Sequence, residues 1–177
     1  LIQTFDGGYL LSGITSSSDG DVGNNYGNTD VWLVKINADG ELEWERNYGN
    51  VENDGGFVKV LQAPDGNFLI SATNSSTGGD IAMNNGSIDF WVIQTDGAGY
   101  IQWEKSFGGT GIDLAYDIDF SSDGGYVIAG SSNTANGNVS ANYGSNDYWV
   151  IKLDADGNIQ WNRNYGDEKA ATSWRID

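Results

Sequence analysis

Residues 147–166 read DYWVIKLDADGNIQWNRNYG, and two close relatives of this stretch begin at residues 30 and 89. Each copy starts with an aspartate two residues before a tryptophan and ends with an aromatic residue followed by glycine. The corresponding tryptophans are separated by 59 and then 58 residues. Self-similarity at a fixed period of this size is the signature of a repeat architecture. The 177 residues therefore hold three units, at 1–59, 60–118 and 119–177.

The composition limits the chemistry available to the chain. It has 25 acidic and 8 basic residues, a net charge of -17, no histidine and no cysteine. This charge repels nucleic acid phosphates and anionic membranes, so we expect no nucleic acid partner. The missing residue types exclude the usual zinc sites, disulfides, thiol nucleophiles and Ser-His catalysis. No apolar run approaches the roughly 18 residues of a membrane span, and none is predicted.

Four strands are predicted in each unit. The first strand is predicted at 54–61, at 113–120 and, begun again, at 171–177. A tight turn follows, because Pro64, Asp65 and Gly66 supply a fixed φ and a tolerated positive φ. The second strand is predicted at 9–13, 68–72 and 126–130. Its continuous apolar runs predict burial on both faces.

The third and fourth strands are predicted at 148–153 and 159–165 in the last unit. The third strand is apolar on both faces, which predicts that it is sandwiched. Simple alternation in the fourth strand would place four residues on one face: Ile159, Trp161, Arg163 and Tyr165. The residues between them are polar, which is typical of an outer strand partly in water.

These patterns together predict an all-β chain of three four-stranded antiparallel blades of a β-propeller. The alternatives are a β-solenoid, whose coils are usually shorter, and tandem sandwich domains, which need about 100 residues each. Three blades are too few to close a ring, since propellers use about four to eight. We therefore expect a partial propeller, cut within the first strand of a blade and flanked by further blades of the same chain. A half-ring that dimerises is the alternative.

Two units resemble a known group of repeats. They are "DGGYLLSGITSSSDGDVGNNYGNTDVWLVKINADGELEWERNYG" at 6–49 and "DGGYVIAGSSNTANGNVSANYGSNDYWVIKLDADGNIQWNRNYG" at 123–166. They are similar to the propeller repeats of large secreted or surface proteins of gliding and gut Gram-negative bacteria, which are often type IX secretion or lipoprotein cargo. The middle unit departs from the pattern at Asn67 and at 95–99. The resemblance implies an exported, surface-associated propeller and names no ligand.

The long loop at 13–30 has partners of equal length at 72–89 and 130–147. It contains candidate cation ligands, namely Asp19, Asp21 and, in the second copy, Asp80. Oxygen-rich side chains spaced by glycine can wrap calcium, which takes six to eight oxygens. Asp, Asn and Gly also form turns through local hydrogen bonds, and the third copy has lost its carboxylates. We favour structural turns and keep a calcium site as the alternative.

Other residues that recur at the same position in each repeat are interpreted as structural. Asp30, Asp89 and Asp147 stand at a strand entrance, where a carboxylate can accept backbone N–H bonds and fasten the preceding loop; catalysis is the alternative. A basic residue recurs on the fourth strand and is interpreted as a tie between blades, with ligand contact as the alternative. These residues are Arg46, Lys105 and Arg163. Six tryptophans at repeat positions are predicted to pack the core rather than stack on sugars. They are Trp32, Trp91, Trp149, Trp44, Trp103 and Trp161.

Two function classes remain open. The preferred one is a non-catalytic scaffold for binding or adhesion, secreted or on the outer cell surface, with a glycan or protein ligand and no cofactor besides the possible calcium. The alternative is part of a propeller-based enzyme, such as a glycan-active hydrolase or a quinone-dependent dehydrogenase. An enzyme site breaks repeat symmetry, because one substrate needs one constellation. The asymmetric residues form no recognisable acid-base set; they are Lys59, Met83, Asp117 and Arg175.

Overall fold

A computed structural model describes residues 1–169 as three four-stranded antiparallel sheets. The first sheet contains β1 (Ile2–Gln3), β2 (Tyr9–Thr15), β3 (Asp30–Ile36) and β4 (Leu42–Tyr48). The second contains β5 (Gly55–Gln62), β6 (Phe68–Asn74), β7 (Asp89–Thr95) and β8 (Ile101–Phe107). The third contains β9 (Asp113–Phe120), β10 (Tyr126–Ser132), β11 (Asp147–Leu153) and β12 (Ile159–Tyr165).

The predicted all-β fold of three four-stranded blades is confirmed. Within each sheet the strands pair antiparallel in chain order. The strand predicted at 171–177, and Arg175 within it, lie outside the described residues. Residues 1–169 contain no helix with the length and hydrophobicity needed to cross a membrane.

The hairpins between third and fourth strands share one backbone geometry. Gly40, Gly99 and Gly157 end these turns with φ angles of 83°, 81° and 75°. L-residues with a Cβ rarely adopt this left-handed region, which glycine enters without strain. The repeated Gly therefore fixes the same turn in every blade.

Apolar side chains fill the two spaces between neighbouring blades. One buried cluster joins the first and second blades and contains Leu33, Ile70 and Trp91. The other joins the second and third blades and contains Phe90 and Trp149, whose ring centroids are 4.6 Å apart. The first strands also meet, because β5 lies against β9 and against β2. Each blade is therefore stabilised by its neighbour.

Burial of the second strand depends on the blade. Every residue of β6 is buried, as predicted for a strand covered on both faces. In β2 that prediction is wrong, since Leu11 is 39% and Ile14 is 50% exposed. Within the described residues only one face of the first blade has a neighbouring blade, so its apolar run is half covered.

A bulge changes the predicted face assignment of the fourth strand. The pairing shifts between Lys152 and Leu153, so that Ile159 pairs with Leu153 while Trp161 pairs with Lys152. Neighbouring residues of a strand point to opposite faces. Ile159 and Trp161 therefore lie on opposite faces, and the prediction that they share one was wrong because alternation assumes an unbroken ladder.

In the first two blades a glutamate of the fourth strand binds the tryptophan of the third strand. The indole of Trp91 donates a hydrogen bond of 2.8 Å to Glu104. Trp32 makes the equivalent bond of 3.0 Å to Glu45 in the first blade. In the third blade Asn162 stands at the position of these glutamates, and the buried indole N–H of Trp149 has no hydrogen bond partner within residues 1–169.

Candidate functional site

The aspartates at the start of each third strand bind the loop that precedes them. Asp30 accepts the backbone N–H of Tyr26 at 2.6 Å. Asp147 accepts that of Tyr143 at 2.5 Å, and Asp89 that of Asn85. All three aspartates are 0% exposed. Each carboxylate thus holds the end of its long loop against the blade.

A second buried aspartate joins this position in the first two repeats. Asp54 accepts the N–H of Asn50 at 2.8 Å, and Asp113 accepts that of Gly109 at 2.7 Å. A Cβ at Gly108 would overlap Oδ1 of Asp89 and lie 2.6 Å from Oδ2 of Asp113. Two carboxylates therefore converge on one glycine backbone.

Burial is the largest influence on the pKa of four of these carboxylates, those of Asp30, Asp54, Asp89 and Asp113. Loss of water contact raises the pKa of Asp54 and the pKa of Asp89 from 3.8 to about 6. It also raises the pKa of Asp30 and the pKa of Asp113, against the opposing effect of their hydrogen bonds. Asp54 and Asp113 were not predicted as partners of the strand-entrance aspartates, although each follows its aspartate by 24 residues.

The candidate calcium ligands lie in different environments. Oδ2 of Asp80 accepts the N–H of Gly49 at 3.2 Å, and the Asp80 N–H donates to the Gly49 carbonyl at 3.0 Å. This pair of bonds ties the second blade to the first. Asp19 accepts the hydroxyl of Ser17 at 2.5 Å, and Asp21 is exposed.

The described residues 1–169 contain no group of three or more acidic, His or Cys side chains that could hold a metal ion. In the third repeat Asn138 replaces Asp80 and makes the same two contacts with Gly108, at 3.2 and 2.9 Å. An amide serves this contact as well as a carboxylate, which supports the structural role. Calcium binding at Asp19, Asp21 and Asp80 stays a prediction.

The recurring basic residues of the first two repeats contact the next blade. The guanidinium of Arg46 lies 4.6 Å from the centroid of the Tyr100 ring. Lys105 Nζ donates to the carbonyl of Asp156 at 2.7 Å and to Asn158 at 2.9 Å. Arg163 is exposed in the last blade. The position therefore ties two blades wherever a following blade is described.

The six repeated tryptophans follow the same rule. Trp91 and Trp149 are 0% exposed, whereas Trp32, on the uncovered face of the first blade, is half-buried. On the fourth strands Trp44 and Trp103 pack partly buried against the following blade. Trp161 is 41% exposed. Exposure of each ring therefore follows the presence of a neighbouring blade.

Two buried lysines, which the sequence analysis did not single out, fasten the first hairpin of a blade to its third strand. Lys35 lies 2.9 Å from Asp6 and 2.6 Å from Glu43, and Lys152 lies 2.8 Å from Asp123. Hydrogen bonds from Thr4 and Lys35 lower the pKa of Asp6 to about 2. A lysine at one position of an otherwise apolar strand was the available signal.

A groove of about 480 Å³ lies between β2 of the first blade and the first strands of the other two blades, β5 and β9. Its lining residues are Ser12, Gly13, Ile14, Gly56, Phe57, Val58, Lys59, Tyr116 and Asp117. Lys59 Nζ lies 2.9 Å from Asp117 Oδ1, and the rings of Phe57 and Tyr116 meet edge to face at 5.1 Å. Two residues that break the repeat symmetry, Lys59 and Asp117, thus come together here. Met83 lies elsewhere and is 57% exposed.

No protein-family profile and no curated protein matches the chain. A solved structure of a protein of unknown function from Bacteroides caccae is similar to it over 97% of this chain and 68% of that one. The sequence identity is 13% and the TM-score is 0.30. A likeness at this level identifies neither a family nor a function.

Proposed function

We propose that the chain is a non-catalytic propeller module that binds a ligand in the groove formed by β2, β5 and β9. The observation that carries this proposal is the groove itself, which joins an ion pair and an aromatic pair. Lys59 is 44% exposed at its side chain, and Phe57 is 51% exposed. A concave site with an apolar surface and a few convergent polar groups is typical of small-molecule binding.

The lining fits a sugar. A pyranose ring has an apolar face that packs on an aromatic ring and a rim of hydroxyls that hydrogen-bond to charged groups. Phe57 supplies the aromatic surface and the exposed Lys59 supplies a donor, while the buried carboxylate of Asp117 holds Lys59 in place. The net charge of -17 opposes anionic ligands. A neutral glycan is therefore the ligand class that we propose.

The repeated carboxylates support a structural rather than a catalytic interpretation. Asp30, Asp89 and Asp147 are fully buried and accept backbone N–H groups. A general acid or base must reach the substrate, directly or through one water. Carboxylates held in this way fix the preceding loops to the blades. An exported or cell-surface setting is proposed from the resemblance of the repeats to those of secreted and surface proteins.

The test is a glycan array probed with the labelled chain, followed by calorimetric titration of the neutral glycans that bind. We expect Phe57→Ala and Lys59→Ala each to weaken binding at least tenfold. Tyr143→Ala is the matched control, because Tyr143 is a 58% exposed aromatic residue outside the groove. Thermal melts of each variant check folding. Unchanged affinity in the folded groove variants would contradict this site, and no binding by any neutral glycan would contradict the ligand class.

A further inference from the structure

Within residues 1–169 nothing covers the far face of the third blade, whereas the same face is covered in the other two blades. Tyr48 and Phe107, at the ends of the first two fourth strands, are 3% and 5% exposed. Tyr165, at the same position of the third blade, is 57% exposed. Trp161 on this face is 41% exposed. This exposed surface therefore carries aromatic residues at the positions that form the interfaces between neighbouring blades.

At the first interface the cover is the hairpin between β7 and β8. A Cβ at Gly99 would lie 3.0 Å from the Trp44 ring, so the bare glycine packs directly on the indole. The hydroxyl of Tyr48 donates to the carbonyl of Gly99 at 2.7 Å. Arg46 lies over the ring of Tyr100, the next residue of the hairpin. The fourth strand of one blade thus recognises the hairpin of the next.

The second interface repeats this arrangement. A Cβ at Gly157, in the hairpin between β11 and β12, would lie 2.8 Å from the Trp103 ring. Lys105 donates to Asp156 and Asn158 of the same hairpin. The same repeat positions therefore form the contact at both interfaces, although Lys105 replaces Arg46 on the fourth strand and Asn158 replaces Tyr100 in the hairpin.

The hairpin of the first blade, between β3 and β4, has the same form and an open surface. Among the described residues, no atom outside its immediate neighbours lies within 4 Å of a Cβ position at Gly40, in contrast to Gly99 and Gly157. Glu41 occupies the position of Tyr100 and is exposed. Its carboxylate suits a guanidinium. The open hairpin thus matches the open face of the third blade.

A second link points to the same pairing. The loop residues Asp80 and Asn138 bind the glycine after the preceding fourth strand, namely Gly49 and Gly108. The counterpart glycine of the third blade is Gly166. The counterpart loop residue of the first blade is the exposed Asp21.

We propose that a second copy of this chain covers the far face of the third blade with its first blade. In this contact Trp161 lies under Gly40 of the other copy, and Arg163 pairs with Glu41. The Tyr165 hydroxyl donates to the Gly40 carbonyl, and the Gly166 N–H donates to Asp21. Two copies supply six blades, which falls within the range of about four to eight that closes a propeller. The contact is head to tail, and such contacts form a finite ring when the rotation closes.

Electrostatics sets the conditions of the test. Each copy carries a net charge of -17, so two copies repel each other at long range. Salt screens this repulsion, with a Debye length of about 8 Å at 0.15 M ionic strength. We therefore expect dimerisation to strengthen between low and physiological salt, although the Arg163–Glu41 pair itself is weakened.

The experiment is sedimentation velocity of the full 177-residue chain across a range of concentrations in physiological salt. We expect a monomer of 19.0 kDa and a species of twice that mass in concentration-dependent exchange. Arg163→Glu and Glu41→Arg should each weaken the dimer at least tenfold, because each places like charges together. The double variant Glu41→Arg/Arg163→Glu restores opposite charges and should recover most of the affinity. Glu52→Arg, at an exposed residue of the loop after β4, is the matched control.

Three results would overturn the proposal. The first is a monomer at every concentration. The second is charge reversal at Arg163 or Glu41 that weakens the dimer no more than Glu52→Arg does, or a double variant without recovery. The third is an open series of masses beyond the dimer, which would contradict the closed ring of two copies. The three changed residues, Arg163, Glu41 and Glu52, are all exposed, so the variants are expected to fold, and circular dichroism checks this.

Discussion

The buried carboxylate of Asp89 gives the chain an unusual dependence of stability on pH. Its pKa is about 6 in the folded chain, against an ordinary value of 3.8, mainly because burial removes water. The folded chain therefore holds a proton between roughly pH 4 and 6 that the unfolded chain has released, so the free energy of unfolding rises as pH falls through this window. About two pH units correspond to about 3 kcal/mol. Asp54 acts in the same direction.

The perturbation is Asp89→Asn, measured by urea unfolding with tryptophan fluorescence at pH 5 and pH 8. Asparagine keeps an oxygen for the Asn85 N–H and carries no charge to oppose the neighbouring Asp113 carboxylate. We expect the variant to gain up to about 3 kcal/mol at pH 8 and roughly half of that at pH 5, which lies in the middle of the window. Asp39→Asn, which removes the same charge from an exposed hairpin residue, is the control.

The result that would refute this reasoning is a native chain that is more stable at pH 8 than at pH 5. An Asp89→Asn variant with the same pH dependence as the native chain would also refute the role of Asp89. The relief of general charge repulsion at low pH acts in the same direction, and Asp39→Asn measures it.

Three further predictions concern packing and the loops. Trp149→Ala should cost about 3–5 kcal/mol of unfolding free energy because its ring is fully buried, whereas Trp161→Ala in the monomer should cost about 1 kcal/mol or less. Equal losses, measured by urea unfolding at low protein concentration, would contradict the packing described. Gly108→Ala should cost about 2–3 kcal/mol because a Cβ would overlap a buried carboxylate, while Gly13→Ala, where a Cβ meets no described atom within 4 Å, is the control. Asp80→Asn should change the free energy of unfolding by less than about 1 kcal/mol, with or without calcium, because an asparagine makes the same contact in the third repeat. If calcium raises the melting temperature of the native chain and this variant abolishes the rise, Asp80 is instead a calcium ligand.

The fold was predictable because the same sequence pattern occurs three times, so that each copy supports the interpretation of the other two. A single short apolar run such as 126–130 could belong to a strand or a buried helix. The aligned turns before and after it, with Gly at the positions of positive φ, remove that ambiguity. The bulge that separates Ile159 from Trp161 was not predictable, since nothing in the local residue types marks the shift in pairing.

The candidate site was predictable in part. The strand-entrance position of Asp30 follows from its place in the repeat, but its partner Asp54 lies directly before β5 of the next blade, and a distance between blades is not written in local sequence. Lys59 and Asp117 were noticed as departures from symmetry. Their meeting at 2.9 Å depends on how β5 lies against β9, which only the packing of whole blades determines.

The pairing of strands in chain order has a consequence for how the molecule is made. Within a sheet each strand bonds to its neighbour in sequence, so a blade requires no segment from a distant part of the chain to complete its ladder. Local connectivity of this kind favours fast folding. During synthesis from the N-terminus, one blade can form and then offer its far face as a template for the next. The blades would then fold in order from the N-terminus. The glycine of each newly formed hairpin would pack on the fourth-strand tryptophan of the preceding blade and shield it from water.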